Sequence, residues 1–411
     1  MTPFELSVMF FLQMAFILAV CRATAWAFMK IGQSRVVSEM IAGVLMGPSL
    51  MGWMFPEFSA YLFPAESKAI LFSVAQLGLV LYMFLIGVDV DLIRKRVRSA
   101  ASISIAGIVA PFLLGGTLAY FIADDPQLFA EKTTSLEAVL FMGAAMAITA
   151  FPMLARIIFE QGLTKTSLGT LALAAGSIDD MAAWCVLAVV LASFNSDWSI
   201  ALIAIGGGIF FAVVCLTLVR RLLQPMGERV EKSGAISPDM LVFTLMLVML
   251  GAWFTDYIQI YAVFGAFIMG VAMPRGKFAT ELHRTMYPLT VALLLPVFFV
   301  YSGLNTKIGL VNTPALWALT ALVLLVAIAG KGVACYLAAR LNGESHKESM
   351  AIGTLMNARG LMELIILNIG LERGIIEPTL FTIMVLMAVI TTLMATPIFE
   401  RIYGKKELRT T

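Results

Sequence analysis

The chain has 411 residues, 60% of them hydrophobic and 13% charged, with a formal net charge of +2 at pH 7. A soluble globule needs more polar surface than this, and a nucleic-acid binder needs a strong positive excess, so both classes are excluded. What remains is an all-α polytopic membrane protein: the apolar runs are about 20 residues long, enough for a helix to cross roughly 30 Å of hydrocarbon, and are unlike the short alternating strands of a barrel.

In chain order, about 13 transmembrane helices are predicted, at approximately 6–30, 36–53, 68–89, 99–123, 135–159, 166–194, 198–220, 238–257, 260–274, 285–304, 314–339, 348–371 and 376–402. Residues 1–33 carry neither a basic leader nor a small-residue cleavage pattern, so the first run is expected to be a retained helix and not a signal peptide. Of the 28 Lys and Arg residues, 21 fall in loops after odd-numbered spans or in the tail, Arg156 among them; only Lys68, Lys132, Lys307 and Arg373 fall on the other side. The remaining three, Arg22, Lys331 and Arg359, lie inside spans. That alternation supports an odd count and puts the N-terminus outside and the C-terminus in the cytoplasm. Cys21, Cys185, Cys215 and Cys335 all sit in apolar runs and read as small core residues, not disulfides or metal ligands.

Three short patterns recur seven spans apart. Phe84–Asp89 in span 3 resembles Val300–Asn305 in span 10, each closing a helix with a glycine and a polar residue. Span 2, with Gly43, Gly47 and Pro48, echoes span 9, with Gly265, Gly270 and Pro274. Span 5, running Thr149 to Pro152 to Arg156, lines up with span 12, running Asn357 to Arg359 to Gly360 to Glu363. An odd offset inverts one half against the other. Two inverted repeats are therefore expected, 1–195 and 237–411, with span 7 linking them in 196–236 and a short cytoplasmic tail at the end. Matched Pro and Gly positions in spans 5 and 12 further predict a pair of broken helices, with Thr149, Pro152, Asn357 and Gly360 as crossover and auxiliary ligand positions.

Ionisable residues inside spans are rare and so carry information. They are Arg22, Glu39, Asp179, Asp180, Lys331, Arg359 and Glu363, with Asp256 near a span end. Asp179 and Asp180 are neighbours on span 6, so their side chains project about 100° apart and cannot share all partners. Lys331, well inside span 11, is the counter-ion expected for one of them. Arg359 and Glu363 stand four apart and can pair on one helix face. Arg22 and Glu39 are taken as a structural or interfacial pair, and Asp256 as an outer-surface residue.

These motifs together resemble the monovalent cation:proton antiporter superfamily, in its cation:proton antiporter 2 branch. The resemblance spans nearly the whole chain and is carried by Val37–Pro48, Phe84–Asp89, Ile148–Arg156, Ile178–Asp180, Gly330–Lys331 and Asn357–Leu364. It implies that spans 5 and 12 cross as broken helices beside span 6, that Asp180 binds the cation or proton, and that Asp179 pairs with Lys331. It also implies a homodimer in a bacterial inner (plasma) membrane, Na+ or K+ and H+ as cargo, and an electrogenic mode associated with the double aspartate. Some relatives carry a cytoplasmic nucleotide-binding regulatory domain; none is expected within this sequence, which ends shortly after span 13.

The expected function is thus a secondary active antiporter, with no cofactor, that exchanges a monovalent cation for protons by alternating access. Proton and cation would compete at Asp180, the metal-binding residue for the transported ion. An organic-anion symporter on a similar scaffold would want a net positive site, whereas a double aspartate suits cations. A cation channel or membrane sensor gated by the Asp pair would favour a continuous polar lining or a repeated filter, and the sequence has neither. No nucleophile or metal-ligand motif points to an enzyme.

Overall fold

The computed structural model describes residues 2–30, 33, 35–89, 93–164, 166–195, 198–304, 310–359 and 361–403. Its helices, in order, are α1 (Pro3–Met29), α2 (Arg35–Met46), α3 (Met51–Met54), α4 (Pro56–Leu62), α5 (Ala65–Asp89), α6 (Ile93–Ile122), α7 (Ser135–Ala147), α8 (Phe151–Glu160), α9 (Ser167–Asn195) and α10 (Trp198–Val214). They continue with α11 (Arg220–Ser233), α12 (Pro238–Tyr257), α13 (Ala262–Ala272), α14 (Lys277–Leu289), α15 (Leu295–Gly303), α16 (Pro314–Ala327), α17 (Ala334–Leu341), α18 (His346–Met356), α19 (Leu361–Glu372) and α20 (Pro378–Tyr403). Short π-helical segments join α10 to α11, α14 to α15 and α16 to α17. Each of the thirteen apolar segments contains a helix or a pair of helices. Nine stretches among the described residues are long and apolar enough to cross a membrane.

Local chemistry accounts for the helix ends. Thr134 opens α7 and Ser345 opens α18 with capping boxes, each side chain accepting from the amide of a glutamate three residues on, Glu137 and Glu348, which reaches back in turn. Ser237 and Thr313 cap α12 and α16 just ahead of a proline, where the missing proline donor is harmless. Gly234 closes α11 with φ of +77°, a conformation that favours glycine.

Several boundaries differ from the hydropathy reading: α2 already ends at Met46 and α6 already starts at Ile93. Span 7 does not stop near residue 220 but runs through a π segment into the amphipathic α11, because falling hydropathy ends a membrane span and not a helix. Span 10 likewise begins earlier, at Lys277.

The helices cluster into two compact units. One comprises Met1–Met14, Ala65–Asp91 and Leu191–Phe298. In it α5 packs along α13, and Gly87 meets Gly270 so closely that a side chain on either would run into backbone. The other comprises Ala15–Pro64, Leu92–Val190 and Phe299–Thr411. There α6 packs on α7 and α17, α18 on α17 and α20, and Gly43 of α2 and Gly47 just after it seat against Val300 and Gly303. Large apolar side chains face outward, including Phe121, Leu202 and Leu325, as lipid-facing surfaces require. The Lys30 ammonium sits 3.4 Å from the centroid of the Trp26 ring, an arrangement suited to a membrane interface.

Glycine at 43 is a packing requirement. An added Cβ would stand 2.8 Å from Val300 Cα and 2.9 Å from Phe299 O, backbone atoms that cannot swing aside. Gly43→Ala should therefore lose about 1–3 kcal/mol of stability, read as a lower melting temperature of the detergent-solubilised chain; unchanged melting would refute the contact.

Candidate functional site

The second unit holds every described residue of the predicted site. In span 5 the helix stops at Ala147 and restarts at Phe151, leaving Ile148, Thr149 and Ala150 out of helical conformation. Pro152 falls in the first turn of α8, so it starts the second half-helix instead of kinking a continuous one. Span 12 breaks correspondingly: α18 ends at Met356 with Asn357 as its C-cap, and α19 starts at Leu361. Gly360 lies outside the described residues. The two breaks touch, because the Thr149 hydroxyl donates to the carbonyl of Met356 at 3.3 Å.

Beside them, Asp179 and Lys331 form a fully buried ion pair, with Lys331 Nζ 3.0 Å from Asp179 Oδ2 and 3.2 Å from Oδ1. Both charges also serve the break in span 5. Lys331 donates to the carbonyl of Ala147, the last residue of α7, while Asp179 Oδ2 accepts from the backbone amide of Thr149 at 3.2 Å. A cation thus sits at the carbonyl end of one half-helix and an anion on an amide leading into the next, each the sign that the local dipole favours. A π-helical turn, Ile328–Val333, carries the lysine, and glycines make room around it. A Cβ at Gly330 would stand 2.9 Å from Pro111 Cα; one at Gly107 would stand 2.7 Å from Cys335 Sγ and 3.4 Å from Asp179 Oδ1.

Asp180 is different. It is 5% exposed, and its Oδ1 has no hydrogen-bond partner among the described residues. The Asn357 Oδ1 is another buried acceptor without a partner. A buried anion left in this state needs a proton or a cation. Arg359 and Glu363, both fully buried, face each other at 3.6 Å, and the Thr392 hydroxyl donates to the Arg359 carbonyl.

Glu39 has a different partner set from the one expected. Arg22 is exposed, and the cations near Glu39 are Arg156 and Arg35. Arg156 itself belongs not to a loop but to α8, inside the apolar run of span 5, where it is 3% exposed and its charge is met by Glu160 Oε1 at 2.8 Å. Glu160 in turn accepts from the Arg35 amide at 3.0 Å. Only an acidic residue at an i+4 spacing from Arg156 hinted at this second cluster in the sequence.

Comparison with known proteins now decides the class. The profile of the family described as "Sodium/hydrogen exchanger, transmembrane" matches residues 15–403. The chain belongs to the monovalent cation:proton antiporter family. As a member it is a transporter and not an enzyme. It is 40% identical over 394 residues to the Na(+)/H(+) antiporter NhaS4 of Synechocystis, covering 94% of this chain and 95% of that protein. It is 27% identical to the Na(+)/H(+)-K(+) antiporter GerN of Bacillus cereus, covering 97% of each. Of several plant cation/H(+) antiporters it matches, the chain spans about half the length. A solved structure of the sodium proton antiporter MjNhaP1 from Methanocaldococcus jannaschii superposes with a TM-score of 0.62 over 97% of both chains; at 17% identity that likeness shows the fold alone.

Proposed function

We propose that this antiporter exchanges a monovalent cation, Na+ favoured and K+ also accepted, for protons, with both cargoes competing at Asp180. The observation that carries the reading is a buried aspartate with an unpartnered oxygen, next to an aspartate already engaged by lysine. One carboxylate holds a proton or ligates a small cation through oxygen, and either makes the site cheaper to move past an apolar barrier. Movement of the loaded site between the two membrane faces, and not of the empty one, then couples the fluxes. The Thr149 hydroxyl, the Asn357 amide oxygen and carbonyls freed at the two breaks are the auxiliary oxygens. Relatives named as Na(+)/H(+) and Na(+)/H(+)-K(+) antiporters support the choice of cargo.

The same reading extends to architecture. Thirteen crossings in two inverted repeats, with the N-terminus outside and the C-terminus in the cytoplasm of a bacterial inner membrane, are supported by the matched breaks and matched capping boxes. Glycine contacts give further support: Gly47 meets Gly303, and their repeat counterparts Gly270 and Gly87 meet each other. We take the assembly to be a homodimer.

Purified protein in liposomes with an internal pH dye tests the function. Adding Na+, K+ or Li+ outside an acid-loaded vesicle should alkalinise the lumen, with Na+ active at the lowest concentration. A cation flux with no proton counter-flux would instead indicate a channel and overturn the proposal.

A further inference from the structure

Arg359 and Glu363 are absorbed by nothing in the exchange scheme, yet they are among the most buried charges in the protein, 0% and 1% exposed. No nitrogen of the guanidinium and no oxygen of the carboxylate has a hydrogen-bond partner among the described residues, so the pair is held by charge at 3.6 Å and not by a bonded network. Their positions repeat the logic of the other break. Arg359 follows the last turn of α18, where helix carbonyls favour a cation; Glu363 lies in the first turn of α19, where amides favour an anion. Lys331 and Asp179 do the same at the ends of α7 and α8. The two sets are also within electrostatic range: Arg359 interacts with Lys331 and Asp179, and Glu363 with Lys331.

Both breaks are thereby balanced, each with one base and one carboxylate, and Asp180 is left over. The cluster around Glu39 does not alter this count, because Arg156 and Arg35 stand beside Glu39 and Glu160. Guanidinium is always charged. Without Glu363, Arg359 would present an uncancelled positive charge to the region where a cation must bind.

We infer that Glu363 is a determinant of cation affinity, acting through Arg359: it cancels the guanidinium at the second helix break so that, among the described residues at the two breaks, Asp180 remains the uncompensated carboxylate. This rests on reading Asp180 as the exchanged site. Arg359 acts on Lys331 and Asp179, the pair next to Asp180, and in a medium of effective dielectric about 20 any unit charge about 10 Å from a cation changes its binding constant by about tenfold.

The test titrates Na+ and K+ into the purified full chain and reads K0.5 from heat or cation-dependent proton release, with melting temperature recorded in parallel. E363Q should raise K0.5 about tenfold. E363D, which keeps the charge, should stay within about threefold of the parent, and so should the double variant R359Q/E363Q, which removes both charges. If E363Q binds as the parent does, or the double variant is as weak as E363Q, the inference fails. A packing role alone would lower the melting temperature of E363D and E363Q alike without separating their K0.5 values, which also overturns it. Absence of any cation binding by the parent would instead strike at Asp180 as the exchanged site.

Discussion

Asp180→Asn should reduce cation-dependent proton movement in liposomes to the level of protein-free vesicles while leaving the protein folded. Asparagine has nearly the shape of aspartate but can neither carry the exchanged proton nor offer a full negative charge to a cation. Because Asp180 Oδ1 has no partner among the described residues, its replacement breaks no hydrogen bond from that atom. Folding should therefore be preserved, with a melting temperature at or above that of the parent, since a desolvated charge has been removed. The two arms of the measurement separate function from stability. A parent protein at a cation concentration 100 times its Kd gains about 2.7 kcal/mol from binding, visible as a rise in melting temperature, and the variant should gain nothing. Exchange at the parental rate in a folded Asp180→Asn protein would remove the central assignment.

Much of this site was legible in the chain because ionisable residues in apolar runs are few. That Lys331 meets one of the two aspartates follows from the charges once the two spans are recognised, since neither sign is tolerable by itself at that depth, whereas the choice of Asp179 over Asp180 is legible only through the family resemblance. The breaks in spans 5 and 12 were legible only through the repeat, each being an ordinary proline or glycine position when viewed singly. Other features left no clear mark. The π-helical turn around Lys331 depends on how α16, α17 and α6 pack, and Gly107 and Gly330 acquire meaning only when the atoms facing them are known. Arg156 looks like a loop residue only when basic residues are sorted by charge; its place inside α8 becomes intelligible once Glu160, one turn on, is seen to meet its guanidinium. The role of Ala147 in holding Lys331 was invisible for a simpler reason: the contact is made by a backbone carbonyl, which every residue possesses.

Membrane potential should drive the exchange, and removing both members of the Asp179–Lys331 pair should abolish that sensitivity. In the structure the pair is closed, with both Asp179 oxygens within 3.2 Å of the ammonium. This closed state suits a proton-loaded Asp180. If cation binding draws Asp179 away as a second ligand, Lys331 is left without its partner in a dry site and releases its proton. Two protons then cross for one cation, and each cycle moves one net charge, worth roughly 2.3 kcal/mol per 100 mV. Clamping liposomes at about 100 mV with a K+ ionophore should shift the Na+ gradient sustained by the parent by roughly fiftyfold. The double variant Asp179→Asn/Lys331→Gln has no proton to lose at that position and no unbalanced charge, so it should exchange one for one and ignore the clamp. Single substitutions are poor probes, because an uncompensated partner in a buried pair costs about 3–5 kcal/mol of stability. Parental exchange indifferent to the clamp would rule out the second proton and leave the pair with only its capping role at the break in span 5.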